Sequence, residues 1–457
     1  MYDLIIIGTG AAGTSAATKA HHLGATRIAM VERGPLWGTC VNNGCIPSKF
    51  LLAVGDLSYY RNFGHQGLEV GTRLDLRKVI QEKRELILRL RERKARRIFG
   101  ELEVELIEGA ARFASPKRIE VAGRRMEGRR FIIAAGSSPS VPAVEGASSV
   151  PFLTNLEALE LEEVPESIIV VGGRALGLEF AQIFAHFGSR VTLLQRSPRI
   201  IPEEEPEIST AMEDALKREG IDIQTGAEIV RVRKEDGEIG VSARVKGVGE
   251  KFTGAQILFA TGRTPNTRDL NLPACGVKVD GKGAIIVDDT MQTSAPNIWA
   301  AGDVTGEPML EPWAGIGGSV AAENAMTSKG RKLERSSLPH AIFTTPQVAS
   351  VGPTEGQAKA SGIAVKCRSV SLEGVSRALI AGDTRGLVKI VADEASGKVL
   401  GVHICASIAA DMIEEGVLAV KFGLTVQDIV DTFHVFPTMA GAIQDCARMF
   451  LKPAGER

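Results

Sequence analysis

At 457 residues, 44% of them hydrophobic, the chain is too long for one ordinary core and can fill roughly two to four domains. Its 54 Lys plus Arg nearly cancel 55 Asp plus Glu, so no global field points to nucleic acid or a membrane surface, and small molecules are the expected partners. Six cysteines are too few and too scattered for a disulfide framework, and Met1-Tyr2-Asp3-Leu4 opens neither a basic leader nor a membrane-length apolar run, so a soluble cytoplasmic protein is expected.

The first predicted element is an apolar strand, Leu4–Ile7, running into Gly8-Thr9-Gly10-Ala11-Ala12-Gly13, then a helix, then a second strand over residues 27–31 that ends at Glu32. This is a complete dinucleotide-binding unit. Gly8, Gly10 and Gly13 permit the tight turn and close approach of a pyrophosphate, the helix N-terminus faces the phosphates, and Glu32 accepts from ribose hydroxyls. The glycine spacing alone is a weak signal; strand, helix and acid together make it strong.

Next comes Gly38-Thr39-Cys40-Val41-Asn42-Asn43-Gly44-Cys45-Ile46-Pro47-Ser48-Lys49. In an ordinary helix, thiols five residues apart are separated by about 7.5 Å along the axis, beyond the roughly 7 Å Cα limit for a disulfide. The pair can close only where the helix is distorted. Gly44 and Pro47 suit an irregular helix start, and a helix N-terminus favours a reactive thiolate. Cys40 and Cys45 read either as a redox pair or as two reduced, buried structural cysteines; Gly44, Pro47 and Lys49 shift the weight toward the first.

Residues 74–99, dense in Arg, Lys and Glu with apolar residues at helical spacing, predict an exposed amphipathic helix. Its basic end, residues 91–97, has interleaved acid and no aromatics, which suits a solvated face rather than a nucleic-acid patch. A second strand signal at residues 168–171 leads into Gly172-Gly173-Arg174-Ala175-Leu176-Gly177, and His186-Phe187-Gly188 repeats the offset of His22-Leu23-Gly24. Two fingerprints predict two dinucleotides. Arg174 stands where the middle glycine is expected, so the backbone there approaches phosphate less closely. This copy ends in Gln195 and Arg196 in place of Glu32 and Arg33. A neutral side chain flanked by Arg196 and Arg199 accommodates a 2′-phosphate, which favours NADPH over NADH. Residues 203–207 read as the acidic start of a helix. From about His340, strands are predicted at residues 348–351, 365–370, 387–391 and 399–405, followed by helices, as a third domain for association or substrate shaping.

These motifs, with Ala135-Gly136, Leu178-Glu179-Phe180, Ala260-Thr261-Gly262-Arg263, Ala301-Gly302-Asp303 and Ile342-Phe343-Thr344-Thr345-Pro346-Gln347-Val348-Ala349, resemble the class I FAD-dependent pyridine nucleotide-disulphide oxidoreductases over nearly the whole chain. The resemblance implies an α/β fold with two Rossmann-like domains, for FAD and NADPH, and a C-terminal α+β dimerisation domain. Its implied divisions are FAD-binding (1–150), NAD(P)H-binding (151–270), central (271–336) and interface (337–457), in a homodimer. It implies that Cys45 lies against the flavin as charge-transfer thiolate while Cys40 is the interchange thiol facing substrate. Lys49 and Glu179 would pair beside the flavin ring, where a cation stabilises reduced, anionic flavin. Glu32 and Asp303 would meet the FAD ribose and ribityl side, and Gly38, Thr39, Gly136, Gly172, Gly177, Arg196, Arg199 and Gly262 fall among the implied cofactor contacts. Electrons would pass from NADPH, or NADH in its place, to FAD, then to the Cys40–Cys45 disulfide, then to an acceptor; no resident metal is implied.

Disulfide-reducing members of this family carry a His-Pro-Thr segment with Glu five residues after the His, a dyad that reaches across the dimer to protonate the departing thiol. Phe436 and Gly441 fill those places here. Loss of such an acid typically costs about 10²–10⁴-fold. His434, two residues along an extended segment, points the other way and reads as a satisfied interface histidine. An aromatic residue at this place resembles mercuric reductases, as do Thr438-Met439 and Arg196; a soft ion such as Hg(II), free or thiol-bound, needs no protonated leaving group. The paired cysteines of those enzymes are absent from residues 449–457, and Cys446 reads as a buried helix residue. Phenylalanine also occurs in 2-ketopropyl-coenzyme M oxidoreductase/carboxylase, but Val41-Asn42-Asn43-Gly44 resembles the reductase version of the thiol loop. Soft-metal reduction therefore ranks first, reduction of a small disulfide without the usual acid second, and carbon–sulfur cleavage third. A non-enzymatic flavin redox sensor is opposed by the intact Lys49 and Glu179. Trp37, where many relatives have glycine, either crowds the flavin loop or lines the substrate side.

Overall fold

The computed structural model describes residues 1–59, 71, 73–235 and 237–451, and the chain divides into two compact units. The first comprises Met1–Ser48, Ile80–Ser140 and Gly262–Glu334; the second comprises Lys49–Val79, Val141–Thr261 and Arg335–Arg457. Tail residues 452–457, part of the segment searched for paired cysteines, lie outside the described residues.

In the first unit, Leu4–Ile7 places four aliphatic side chains in succession, a pattern that a strand can satisfy only when both its faces are covered. All four are buried, each contributing about 1.5–3 kcal/mol. The strand is central in a parallel sheet ordered Ile298–Ala300, Phe131–Ile133, Leu4–Ile7, Ile28–Glu32 and Glu105–Glu108. The helix Ala11–His22 covers this sheet through Ala16, Ala17 and Ala20 and packs on Glu311–Thr327. Small residues make that approach possible: a Cβ at Gly318 would sit 2.1 Å from the Ala12 carbonyl oxygen. The charged helix runs Leu76–Ala95, started by Asp75, whose Oδ1 accepts from Lys78 N at 3.2 Å. It ends short of the expected residue 99 because the backbone widens into a π turn, Arg96–Glu101.

The second unit repeats the design. Its parallel sheet is ordered Asp222–Thr225, Arg190–Gln195, Ser167–Val171 and Gln256–Phe259, and the helix Ala175–Phe187 follows the second glycine loop. In both loops the third glycine packs on the first. A Cβ at Gly13 would lie 2.0 Å from Gly8 O, and one at Gly177 would lie 1.7 Å from Gly172 O. The sequence repeat is therefore a repeat of backbone contacts.

The C-terminal part of this unit is an antiparallel sheet ordered His340–Ile342, Gln347–Val351, Val399–Ala406, Leu387–Asp393 and Val365–Ser371. Four of these strands match expectation. His340–Ile342 has too few residues for an alternating signal. The helices Ala409–Phe422 and Gly441–Arg448 bury Ile413, Ile443 and Cys446 in one cluster with Val402 and Ile404. Cys446 is the expected buried helix residue; its thiol donates to Arg368 O at 3.2 Å. The fold is α/β with two Rossmann-like regions and a C-terminal α+β domain.

Candidate active site

The thiol loop breaks where its chemistry requires. Gly38–Asn42 forms one short helix and Cys45–Tyr59 another, with the backbone turning at Asn43 (φ −150°, ψ 30°). Cys40 lies in the first and Cys45 opens the second. A Cβ at Gly44 would stand 2.9 Å from Thr39 O, so only glycine lets the two turns fold onto each other. Asn42 fastens the first turn, its amide donating to Leu36 O and Gly38 O at 2.8 Å each, while its Oδ1 accepts from Arg91 Nε at 2.6 Å. Both thiols are half-buried. A hydrogen bond to the Cys45 sulfur, then burial, then the charge of Cys45 push the Cys40 thiol far above the ordinary thiol range. The reduced pair therefore holds a proton tightly on Cys40.

Trp37 enters this loop at φ 77°, a left-handed conformation that costs a non-glycine residue about 1–3 kcal/mol. It is 1% exposed and stacks on Phe99 with ring centroids 5.2 Å apart, while its backbone N–H donates to Thr9 Oγ1 at 2.9 Å. Trp37 is thus a core residue that pins the thiol loop to the glycine loop.

At that glycine loop, Glu32 Oε2 accepts from Thr9 N at 3.0 Å and from Thr9 Oγ1 at 2.7 Å. Across the same unit, Asp303 accepts from Ser137 Oγ at 2.5 Å. Gly136 and Gly262, both at positive φ, flank the short pairing of Ser137–Pro139 with Arg263–Pro265. Sequence reasoning quoted Arg263 in a motif but gave it no role. Its Nε donates to Ser137 Oγ at 2.7 Å, its Nη2 to Ser137 O at 2.8 Å and to Thr39 Oγ1 at 3.3 Å. Burial lowers its pKa, against the opposing charges of Asp303 and Cys45. Arg263 is a fixed cation within electrostatic reach of Cys45, and such a neighbour favours an anionic sulfur.

In the second unit, Lys49, four residues after Cys45 on the same helix, meets Glu179 through both carboxylate oxygens, at 2.9 and 2.7 Å. Phe343 N donates to Glu179 Oε1 at 3.0 Å, and the ammonium stands 4.7 Å from the Phe343 ring centroid. The ion pair and the backbone donor together offset the water this buried carboxylate has lost.

At the second glycine loop, Gln195 Oε1 accepts from Gly173 N at 3.0 Å, doing for this copy what Glu32 does for the first. Arg199 is turned inward, its Nη2 donating to Pro202 O at 2.6 Å and Glu204 O at 2.8 Å. Arg196 is exposed.

In the C-terminal domain, Phe436 is 82% exposed, and Gly441 opens a helix with no side chain to offer. His434 is tied down: Nε2 lies 2.9 Å from Glu415 Oε1, and Nδ1 lies 3.0 Å from Thr432 O. This is the satisfied histidine the sequence suggested. Among the described residues, no group of three or more His, Cys, Asp or Glu is arranged to hold a metal ion. Among them, too, no helix is long and apolar enough to cross a membrane.

Residues 2–327 match the family model of the pyridine nucleotide-disulphide oxidoreductases, and residues 338–447 match the model of their dimerisation domain. The chain belongs to this family. It is 42% identical over 454 residues to a mercuric reductase of Lysinibacillus sphaericus, covering 99% of this chain and 83% of that one. It is also 37% identical over 457 residues to a dihydrolipoyl dehydrogenase of Thermus scotoductus, covering 99% and 98%. Among solved structures, RclA of Escherichia coli, an HOCl-induced flavoprotein disulfide reductase, superposes with a TM-score of 0.88 at 27% identity, covering 98% of this chain and 100% of that one.

The chain is accordingly an NAD(P)H-dependent FAD disulfide oxidoreductase, and its first glycine loop fits FAD. The N-terminus of Ala11–His22 carries no side-chain cap, leaving N–H groups for a pyrophosphate. Gly10 and Gly38 meet with no side chain between them, a Cβ at Gly38 falling 2.8 Å from Gly10 Cα. Gly8, Gly10, Gly13 and Glu32 would hold the adenosine diphosphate, with Asp303 toward the ribityl chain. Bound there, FAD would supply the two-electron exchange between a nicotinamide nucleotide and sulfur.

Proposed function

We propose that this oxidoreductase uses NADPH to reduce a small-molecule disulfide whose halves leave as stable thiolates, acting as a cytoplasmic homodimer. The observation that carries this reading is the lack of a free proton donor in the described segment 432–441, where Phe436 and Gly441 have none and both ring nitrogens of His434 are engaged, by Glu415 and by Thr432 O. With the pair reduced, Cys40 releases its proton and attacks one substrate sulfur. The substrate S–S bond breaks and the first half departs as a thiolate. Cys45 then attacks Cys40 Sγ, the second half departs with the bonding electrons, and the Cys40–Cys45 disulfide closes. Two electrons leave the cysteine pair, two thiolates appear, and the Cys40 proton goes to solvent or to one of them. The likeness to a flavoprotein disulfide reductase supports this reading.

The test is a series of aryl and alkyl disulfides assayed for kcat/KM. Turnover is expected to rise steeply as the leaving thiol's pKa falls, and Phe436→His with Gly441→Glu is expected to flatten that slope, lifting alkyl disulfides by up to about 10²-fold. Oxidised glutathione turned over as fast as an aryl disulfide would sink the reading.

The identity to mercuric reductases favours a second acceptor, Hg(II) or its thiol complex, for which Cys40 and Cys45 offer two adjacent soft donors. Hg(II)-dependent NADPH oxidation with no disulfide turnover would select it.

A further inference from the structure

Among its three glycine positions the second fingerprint departs from the pattern only at Arg174, and that position is the one free to change. Gly172 must stay glycine, since at φ 114° its Cβ would lie 2.4 Å from Ala260 O, and Gly177 packs on Gly172. Arg174 has an extended backbone (φ −100°, ψ −176°) open to any residue, and it immediately precedes the helix Ala175–Phe187, which has no side-chain cap. Its side chain is 62% exposed, with Nε 3.5 Å from Glu203 Oε2.

Glu203 is delivered there by a loop locked to the glycine turn. Ile201 N donates to Gly173 O at 2.8 Å, and the Arg199 guanidinium holds the carbonyls of Pro202 and Glu204. The next two acids are committed elsewhere. Glu204 bonds Ser350 Oγ at 2.5 Å and His340, and Glu205 meets Lys389 at 3.0 Å. Glu203 alone of the three faces solvent and can release its partner.

We infer that Arg174 is a ligand for the pyrophosphate of the nicotinamide dinucleotide, held aside by Glu203 until the nucleotide arrives, with Arg196 alone left to meet the 2′-phosphate. This rests on the reading that the second fingerprint binds that dinucleotide. An exposed ion pair of this length is weak, whereas guanidinium on a phosphate is charge-assisted and geometrically matched, and it adds to the open N–H groups of the helix start. The exchange therefore runs toward the nucleotide. Arg199 has its Nη2 turned to the Pro202 and Glu204 carbonyls and is assigned no phosphate contact.

The assignment is tested by calorimetric binding of NADP+ and NAD+ to the purified flavoprotein with its cysteines oxidised. Arg174→Ala is expected to weaken both nucleotides by the same factor, roughly 10-fold, and to lower the salt dependence of binding; Arg196→Ala should weaken NADP+ alone. Glu203→Gln, which keeps Arg174, should tighten both about two- to five-fold. Unchanged affinities in Arg174→Ala, a loss confined to NADP+, or weaker binding in Glu203→Gln would each overturn the exchange. A wild-type protein that binds neither nucleotide would overturn the fingerprint reading along with it, whereas normal wild-type binding with any of the preceding results overturns the Arg174 assignment alone.

Discussion

Replacing Lys49 with methionine is expected to destabilise the protein more than replacing Glu179 with glutamine, although both substitutions remove the same ion pair. The cause is unequal burial: the Glu179 side chain is 3% exposed and that of Lys49 is 33% exposed. In Lys49→Met the carboxylate keeps the N–H of Phe343 but loses its counter-charge, and a buried charge stripped of its partner costs about 3–5 kcal/mol. In Glu179→Gln the ammonium can turn toward water while the new amide still accepts from Phe343, so the loss is near that of one charge-assisted bond, about 1.5–3 kcal/mol. Cooperative units of a few hundred residues shift by roughly 2 °C in Tm per kcal/mol, which gives about 6–10 °C for Lys49→Met and about 3–6 °C for Glu179→Gln. Removing both charges together, in Lys49→Met with Glu179→Leu, should cost less than Lys49→Met alone. Thermal unfolding followed by circular dichroism at pH 8, with FAD saturating so that cofactor loss does not intrude, reads all three. The reasoning is refuted if Glu179→Gln melts at or below the temperature of Lys49→Met, or if the double variant is no more stable than the lysine variant.

Two further outcomes follow from the same physics. In Cys45→Ala, Cys40 loses the sulfur partner that holds its proton, so its iodoacetamide labelling, read by mass spectrometry, should begin at lower pH than in the reduced wild-type protein; an unchanged onset would count against the shared-proton picture. Burial opposes charge on His340, but the hydrogen bond and charge of Glu204 outweigh it and raise its pKa above the ordinary 6.5. A raised folded pKa gives stability that is complete below the unfolded value and is lost as pH rises through the folded one, so His340→Gln should lower Tm more at pH 6 than at pH 9, and equal losses would exclude the linkage.

The parts of this protein legible in its sequence are those where backbone contact leaves no choice of residue. The glycine loops could be recognised because Gly13 and Gly177 each touch the carbonyl of the first glycine in their loop. The helix break between the thiols is expected only if they pair, from their spacing together with Gly44 and Pro47, and Gly44 marks it. What stayed hidden depends on partners distant along the chain. Residues 203–207 read as a helix start, which Glu205 and Glu207 do form around Pro206, yet Glu204 and Glu205 are also buried against Ser350 and Lys389, 146 and 184 residues away. No local pattern announces such a pairing. Arg199 has the position and charge of a phosphate ligand, but the contacts of its Nη2 to the Pro202 and Glu204 carbonyls depend on how the loop after residue 195 closes. Trp37 gave no signal of its own, since its stacking partner, Phe99, lies in a π turn that helical periodicity predicts as ordinary helix.

Each unit holds a cation beside a carboxylate. Arg263 lies near Asp303 and Cys45 in the first, and Lys49 is bound to Glu179 in the second. A cation so placed favours negative charge on a neighbouring sulfur or reduced ring, and a guanidinium is not a proton donor near neutral pH. The proton on reduced Cys40 is held tightly and must be given up before that sulfur can attack. Under the proposed function, with Phe436 and Gly441 where a donor dyad would stand, these residues would handle electrons and negative charge and leave protons to the substrate. That division would select acceptors by the stability of their leaving group, whether an acidic thiol or a soft metal complex, more sharply than by shape.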